Sequence, residues 1–341
     1  MGDLMLMKKL TSIEICAGAG GQALGLEQAG FNHLALVEID KMACATLRRN
    51  RPLLNVIECD VRGFSAFDYK GVDLLAAGIP CPPFSCAGKQ LGELDERDLF
   101  PEMIRLANEC RPKAVLIENV KGLLDDKFIN YRNHIKKQFL SLGYYGDWKL
   151  FNACDFGVPQ LRPRAIFVAF AEPLEDIFTW PVGTSTKITV GEALYSEMKS
   201  NGWKHANIWK QNANTIAPTL VGGSKKHGGP DLGPTRSRLA WKQLGVDGGG
   251  IADCPPLKDY EGMPRLTVKM AAVIQGFPPE WIFVGKKTPA YRQVGNAFPP
   301  PVAYAIGKTI ADALEYKGNT HEEKIGWLKS KTQGVLLSKC G

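Results

Sequence analysis

No two of the nine cysteines form a C-x-x-C pair, so a zinc centre is not expected and no metal is assigned. Their odd number and irregular spacing suggest reduced thiols in a cytoplasmic protein rather than a disulfide framework. No stretch reaches the ~18 consecutive apolar residues of a membrane span. The start, Met1 to Leu10, has two lysines among apolar residues but no long apolar core or small-residue cleavage site. Neither a membrane partner nor a signal peptide is therefore expected. Internal repeats and low-complexity tracts are also lacking.

What is present is ordinary globular material. The chain has 341 residues, 45% hydrophobic and 23% charged, long for one domain and comfortable for two. A formal charge of +7 permits a polyanionic partner without demanding one.

The most telling stretch is Val72 to Ser85. An apolar run, Val72 to Ile79, reads as a buried strand. It stops at Pro80-Cys81-Pro82-Pro83, because proline cannot donate to a strand ladder. Cys81 thus stands at the carboxyl end of a strand, where open α/β sheets bind their ligands. A polar loop, Ser85 to Asp98, follows, and then a helix from Leu99 to Cys110.

Other predicted strands also end in chemistry. Thr11 to Cys16 runs into the glycine loop Ala17-Gly18-Ala19-Gly20-Gly21 and a helix, the front half of a nucleotide-binding unit. Leu34 to Val37 ends in Glu38-Ile39-Asp40, where Glu38 suits a ribose and Asp40 a helix cap. Asn55 to Cys59 ends in Asp60-Val61, with Asp60 suited to an adenine amino group. Ala114 to Ile117 ends in Glu118-Asn119. A hairpin-like pair, Trp148–Ala153 and Arg164–Phe170, encloses a segment in which Gln160, Arg162 and Arg164 share one face if extended.

From about Thr186 the composition changes, and residues 201–262 lack sustained periodicity. Glycines there alternate with Ser224, Lys225, Lys226, Arg236 and Arg238. That mixture suits either a solvated loop or a surface following a phosphate backbone to base edges. Leu266 to Gln275 and Val302 to Tyr316 read as helices.

Taken in order, these stretches resemble the DNA cytosine-5 methyltransferases of prokaryotic type, from about Ser12 to Ile310. The resemblance rests on Cys16 to Gly21, Pro80 to Ser85, Glu118-Asn119-Val120, Gln160/Arg162/Arg164, Arg265-Leu266-Thr267, Gln275-Gly276-Phe277-Pro278 and Gly295-Asn296-Ala297. The chain departs from the usual pattern at Cys16 (usually Phe), Pro82 (Gln), Asp98 (Gly), Met270 (Glu) and Val273 (Arg). The last two imply that apolar packing replaces an ion pair.

The resemblance implies a Rossmann-like, mostly parallel seven-stranded α/β sheet with a smaller target-recognition domain. The expected boundaries are 1–185 for the catalytic domain, 186–285 for target recognition, and 286–341 for a segment returning to the catalytic domain. It implies transfer of a methyl group from S-adenosylmethionine to C5 of a flipped-out cytosine in double-stranded DNA. Cys81 would attack C6, Glu118 would serve N3, and Arg164 would hold O2, with Arg162, counted among the catalytic residues, and Gln160 supporting the strand and loop. The Ile79 carbonyl would take the cytosine amino group. The cofactor would lie on Cys16, Ala19, Gly20 and Gly21, with Glu38 on the ribose and Asp60 on the adenine. Ile39, Val61 and Leu99 would sandwich the ring, and Gly78, Pro80, Asn296 and Ala297 would complete the site. DNA contacts are expected from Ser85, Lys89, Gln90 and Arg97, and from Ser224, Lys225, Lys226, Arg236 and Arg238. A monomer, associated with the nucleoid in a prokaryote, is the expected form. The same reaction on tRNA cytosine, a dinucleotide-dependent oxidoreductase and a silent DNA-binding protein are the rival readings.

Overall fold

The computed structural model describes residues 9–80, 98–171, 177–222 and 231–316, together with Glu323. Five strands are parallel: β1 (Leu10–Ile15), β2 (Phe31–Glu38), β3 (Val56–Glu58), β4 (Leu74–Gly78) and β5 (Ala114–Val120). The hairpin formed by β6 (Tyr145–Asn152) and β7 (Pro163–Phe170) completes the sheet, with β7 antiparallel to both β5 and β6. The order is β3-β2-β1-β4-β5-β7-β6, a mixed seven-stranded sheet.

Helices cover both faces, so the central strands are apolar on both sides and read as continuous runs. One face carries Ile13, Ile15, Leu75, Ala77, Val115 and Ile117. It packs on α3 (Phe100–Cys110) through Met103 and Leu106, and on α4 (Ile129–Ser141) through Ile135 and Phe139. The other face carries Leu74, Ala76, Leu116, Ile166 and Val168, against α1 (Gly21–Gln28) and α10 (Pro300–Glu315). These two helices lie unusually close. A Cβ on Gly25 would come within 2.5 Å of Ala303 Cβ, and one on Gly307 within 2.8 Å of Leu26 Cδ2. Glycine is required there by close approach.

A second core is built from short helices and four tryptophans, Trp203, Trp209, Trp241 and Trp281. Its helices are α5 (Val190–Lys199), α6 (Ala206–Asn212), α7 (Thr235–Gln243), α8 (Val268–Ile274) and α9 (Lys287–Asn296). The aperiodic reading of residues 201–262 therefore missed α6 and α7. At seven and nine residues they are too short to display a 3.6-residue repeat. This core extends past residue 285, since Tyr291, Val294 and Ala297 belong to it. Met270 is fully buried within it, and its sulfur accepts from the Thr267 N–H at 3.5 Å. Apolar packing at Met270 agrees with the sequence expectation.

Candidate active site

The carboxyl ends of β1, β2 and β4 meet at the glycine turn. Three of its residues adopt left-handed backbone: Cys16 (φ 53°), Gly18 (φ 54°) and Gly20 (φ 88°). Ala17 N still donates to the Val37 carbonyl and Gly20 N to the Ala17 carbonyl, each at 3.1 Å, and the buried Glu38 carboxylate adds a side-chain restraint. Its Oε2 accepts from Gly18 N and its Oε1 from Asp40 N, each at 2.7 Å. Burial pushes the Glu38 carboxyl up, opposed by these backbone hydrogen bonds. Asp40 caps α2 (Lys41–Asn50), accepting from Met42 N and Ala43 N, as its position suggested.

The glycines divide the labour. A Cβ on Gly18 would meet nothing within 4 Å, so its open side is free for a ligand. Gly20 and Gly21 are instead closed in by protein atoms. Beside the turn, Ile39 is 64% exposed, whereas Val61 and Leu99 are buried. Asp60 accepts from Arg62 N at 2.9 Å and pairs with the Arg62 guanidinium at 3.2 Å, so any adenine contact must be shared with a turn cap. Burial holds the Cys16 thiol far above its ordinary range, leaving it an uncharged wall of the site. Asn296 is exposed and Ala297 buried where α9 ends.

At the next strand ends, Gly78 pairs with Glu118 in register. A Cβ on Gly78 would lie 3.3 Å from the Cys16 carbonyl and 3.9 Å from Glu118 Oε2, so this residue stands between the glycine turn and the acid. Glu118 Oε1 receives Arg164 Nε at 2.5 Å, with side chains only 10% and 11% exposed. Arg164 reaches Glu118 because β7 runs antiparallel beside β5, placing Arg164 opposite Val120. Asn119, fully buried, donates to the Ile79 carbonyl at 3.4 Å. The sequence reading listed Asn119 within a motif but gave it no role; here it orients the backbone that leads from β4. Pro80 is exposed. Cys81, Ser85, Lys89, Gln90 and Arg97 lie outside the described residues, as do Ser224, Lys225 and Lys226. Asp98 accepts from Phe100 N at 3.0 Å and from the Tyr131 hydroxyl, which fixes the start of α3.

Two groups of expected site residues lie in surroundings of their own. Arg162 does not join Arg164 at the acid. It is 1% exposed and donates to three backbone carbonyls: Leu220 at 2.9 Å, Gly295 at 2.7 Å and Ala297 at 3.0 Å. Gln160 works beside it, accepting from Leu220 N at 2.8 Å and donating to Gln275 Oε1 at 2.7 Å. Both precede β7, so the alternation assumed from an extended strand does not carry them toward Glu118. They form a buried polar tie between the sheet and the second core.

Arg236 and Arg238 do not lie on a glycine loop but on α7. Residues two apart on a helix diverge by ~200°. The stem of Arg238 lies on Gly248, where a Cβ would meet Arg238 Cγ at 3.1 Å. Arg236 projects on the side away from buried Trp241.

Among the described residues no group of His, Cys, Asp and Glu is arranged to hold a metal ion, and no helix is long and apolar enough to cross a membrane.

A family model described as C-5 cytosine-specific DNA methylase matches residues 10–312. The chain is 58% identical over 311 residues to the Type II methyltransferase M.NgoMIV of Neisseria gonorrhoeae, covering 90% of this chain and 99% of that one. It is 52% identical over 325 residues to the Type II methyltransferase M.NaeI of Lentzea aerocolonigenes, covering 94% and 79%. Among solved structures, the Dnmt2 methyltransferase of S. pombe matches with a TM-score of 0.62 at 17% identity, covering 91% of this chain and all of that one. At that identity the likeness concerns the fold.

Proposed function

Because the chain belongs to the C-5 cytosine-specific DNA methylases, and so is a DNA cytosine-5 methyltransferase on the Rossmann-like sheet of that class, we propose that it works through a covalent adduct between Cys81 and C6 of a flipped-out cytosine. C5 of cytosine is a poor nucleophile, and it sits inside the duplex stack. A thiolate bonding to C6 pushes an electron pair toward C5, while charge builds at N3 and O2. Glu118 supplies the proton at N3 and Arg164 the hydrogen bond to O2. The Ile79 carbonyl, steadied by Asn119, takes the exocyclic amino group. Once C5 has accepted its methyl group, a base such as water takes the C5 proton, the electron pair re-forms the C5–C6 double bond, and the C6–S bond breaks to release the Cys81 thiolate.

The residues present suit S-adenosylmethionine. Gly18 leaves an open side at a left-handed turn, Glu38 is a buried carboxylate at its edge, and Ile39 offers an exposed apolar face. Glu38 would take the ribose, Asp60 the adenine edge, and the Asn296–Ala297 segment would lie near the methionine end. When bound, this cofactor supplies the methyl group that C5 accepts.

One observation carries the reading: the Glu118–Arg164 pair lies one strand across from Gly78, three residues before Cys81. The test is methyl transfer from labelled S-adenosylmethionine to duplex DNA and to tRNA. Cys81→Ala is expected to abolish transfer to DNA while still binding S-adenosylhomocysteine. A duplex bearing 5-fluorocytosine at the target is expected to trap the wild-type protein through Cys81, since no proton can leave C5. Turnover by Cys81→Ala, or transfer to tRNA in preference to DNA, overturns it.

A further inference from the structure

Gly20 and Gly21 are closed in by Leu47 and the Phe298 backbone and, from the second core, by Trp281 and Phe277. A Cβ on Gly20 would lie 2.6 Å from Leu47 Cδ2 and 3.0 Å from Trp281 Cζ2. One on Gly21 would lie 2.1 Å from the Phe298 carbonyl and 3.2 Å from Phe277 Cζ. Phe277 and Trp281 are themselves in ring contact, with centroids 5.7 Å apart, and both belong to the second core. Two aromatic rings thus lie against the backbone of the turn at Gly20 and Gly21, while Gly18 stays open.

Trp281 is itself anchored. The Arg51 guanidinium lies 5.1 Å above its indole, and Glu27 holds Arg51 at 2.7 Å. Asn50 engages the backbone of the next residue, Ile282, on both sides, donating to its carbonyl at 2.8 Å and accepting from its N–H at 2.9 Å. Thr46 Oγ1 accepts from Val284 N at 2.9 Å and donates to Gln293 at 2.6 Å. The segment after Trp281 is therefore stitched to α2, and its ring is fixed against Gly20. The indole N–H is buried with no hydrogen-bond partner among the described residues. A buried unpaired donor is a cost, so what the ring contributes is its shape.

We propose that Trp281, backed by Phe277, is a positioning residue for the cofactor site, holding the Gly18–Gly21 turn in the left-handed geometry that lets Glu38 take the Gly18 N–H. This rests on the cofactor reading above. Ala17 N donates to the Val37 carbonyl and Gly20 N to the Ala17 carbonyl, each at 3.1 Å, and the remaining freedom of a turn with several positive-φ residues is limited by what packs on it. Without the ring, the turn can relax toward the vacated space, and the geometry of the open face is lost with it.

The experiment compares wild type, Trp281→Ala and Trp281→Phe. S-adenosylhomocysteine affinity is read by isothermal titration, kcat and KM for S-adenosylmethionine by single-substrate kinetics, and folding by circular dichroism and urea midpoint. Trp281→Ala is expected to weaken cofactor binding about tenfold or more and to raise KM by a similar factor, with a smaller change in kcat. Trp281→Phe, which keeps an aromatic face and removes the unpaired N–H, is expected to stay within about threefold of wild type. If Trp281→Ala does not fold, Trp281→Leu serves with the same readings. A folded Ala or Leu variant whose cofactor affinity stays within about twofold of wild type overturns the proposal. Wild-type protein that takes up no S-adenosylhomocysteine would instead overturn the cofactor reading on which it stands.

Discussion

Arg162 donates to the carbonyl of Ala297 across 135 residues of chain, joining the approach to β7 to the end of α9. With Leu220 and Gly295, it serves three buried carbonyls with one planar group. Arg162→Met would remove its hydrogen bonds to Leu220 and Gly295, at about 1–3 kcal/mol for each buried group, while the Ala297 carbonyl keeps the Gln275 side-chain amide. Arg162→Lys keeps the charge but offers a point rather than a fork. Both variants are expected to lower the urea midpoint substantially, with Met worse. Activity per folded molecule is expected to change little by comparison. A loss of turnover at unchanged stability would return Arg162 to the catalytic group.

Glu118→Gln keeps the volume and can still hydrogen-bond Arg164, but it cannot pass a proton to N3. Single-turnover methyl transfer is expected to fall by about 10²-fold or more, with cofactor and DNA affinities nearly unchanged. Rates close to wild type would mean that N3 is served by another group. Arg164→Met is expected to cost stability as well, since it leaves the buried Glu118 carboxyl without its partner.

The strand ends were legible in the sequence because each carries its own stop signal: prolines after Ile79, glycines after Cys16, acids at Glu38, Asp60 and Glu118. The parallel core was legible for the same reason, as apolar runs bounded by turns. What the sequence hid are properties of packing between distant segments. Gly18 and Gly20 look alike in the chain, yet one faces open space and the other a tryptophan more than 250 residues away. Arg162 and Arg164 look like one alternating pair, but β7 begins at Pro163, between them, and their partners differ. Arg236 and Arg238 look like a basic loop because α7 is too short to show a period.

The histidine on β2 makes stability depend on pH. His33 Nε2 lies 2.8 Å from the Ala23 carbonyl, so that nitrogen carries the proton, and Nδ1 accepts from Ser12 Oγ at 2.8 Å. Burial lowers its pKa below the usual 6.5. Between the two values the unfolded chain binds the extra proton, so folding stability is lost as pH falls below about 6.5. The slope from this group is at most about 1.4 kcal/mol per pH unit. Urea midpoints at pH 7.5 and 5.5 are expected to converge in His33→Gln relative to wild type. Equal pH dependence in both proteins would assign the acid sensitivity elsewhere.

The two arginines of α7 are expected to behave differently. Arg236, projecting away from the core, is the one free to meet a groove, and Arg236→Ala is expected to relax preference at a guanine of the target by about 1–3 kcal/mol. Arg238 lies along Gly248, so Arg238→Ala is expected to affect stability more than sequence preference. Binding isotherms on the target and its single-base variants, at several salt concentrations, separate the cases. A uniform loss of affinity in Arg236→Ala with unchanged preference would make it a phosphate contact.

The pairing of α1 with α10 sets a timetable for synthesis. The ribosome delivers Leu26 and Phe31 roughly 270 residues before their covering residues Val302, Ile306 and Ile310. At ordinary elongation rates the interval is on the order of tens of seconds. Throughout it, one face of the nascent sheet has no lid, and local contacts cannot substitute for one. That face can close only once Val302 to Ile310 have been delivered, and until then it is a surface a holding chaperone would cover. A message truncated shortly before Pro300 would yield an exposed sheet face rather than a smaller working enzyme.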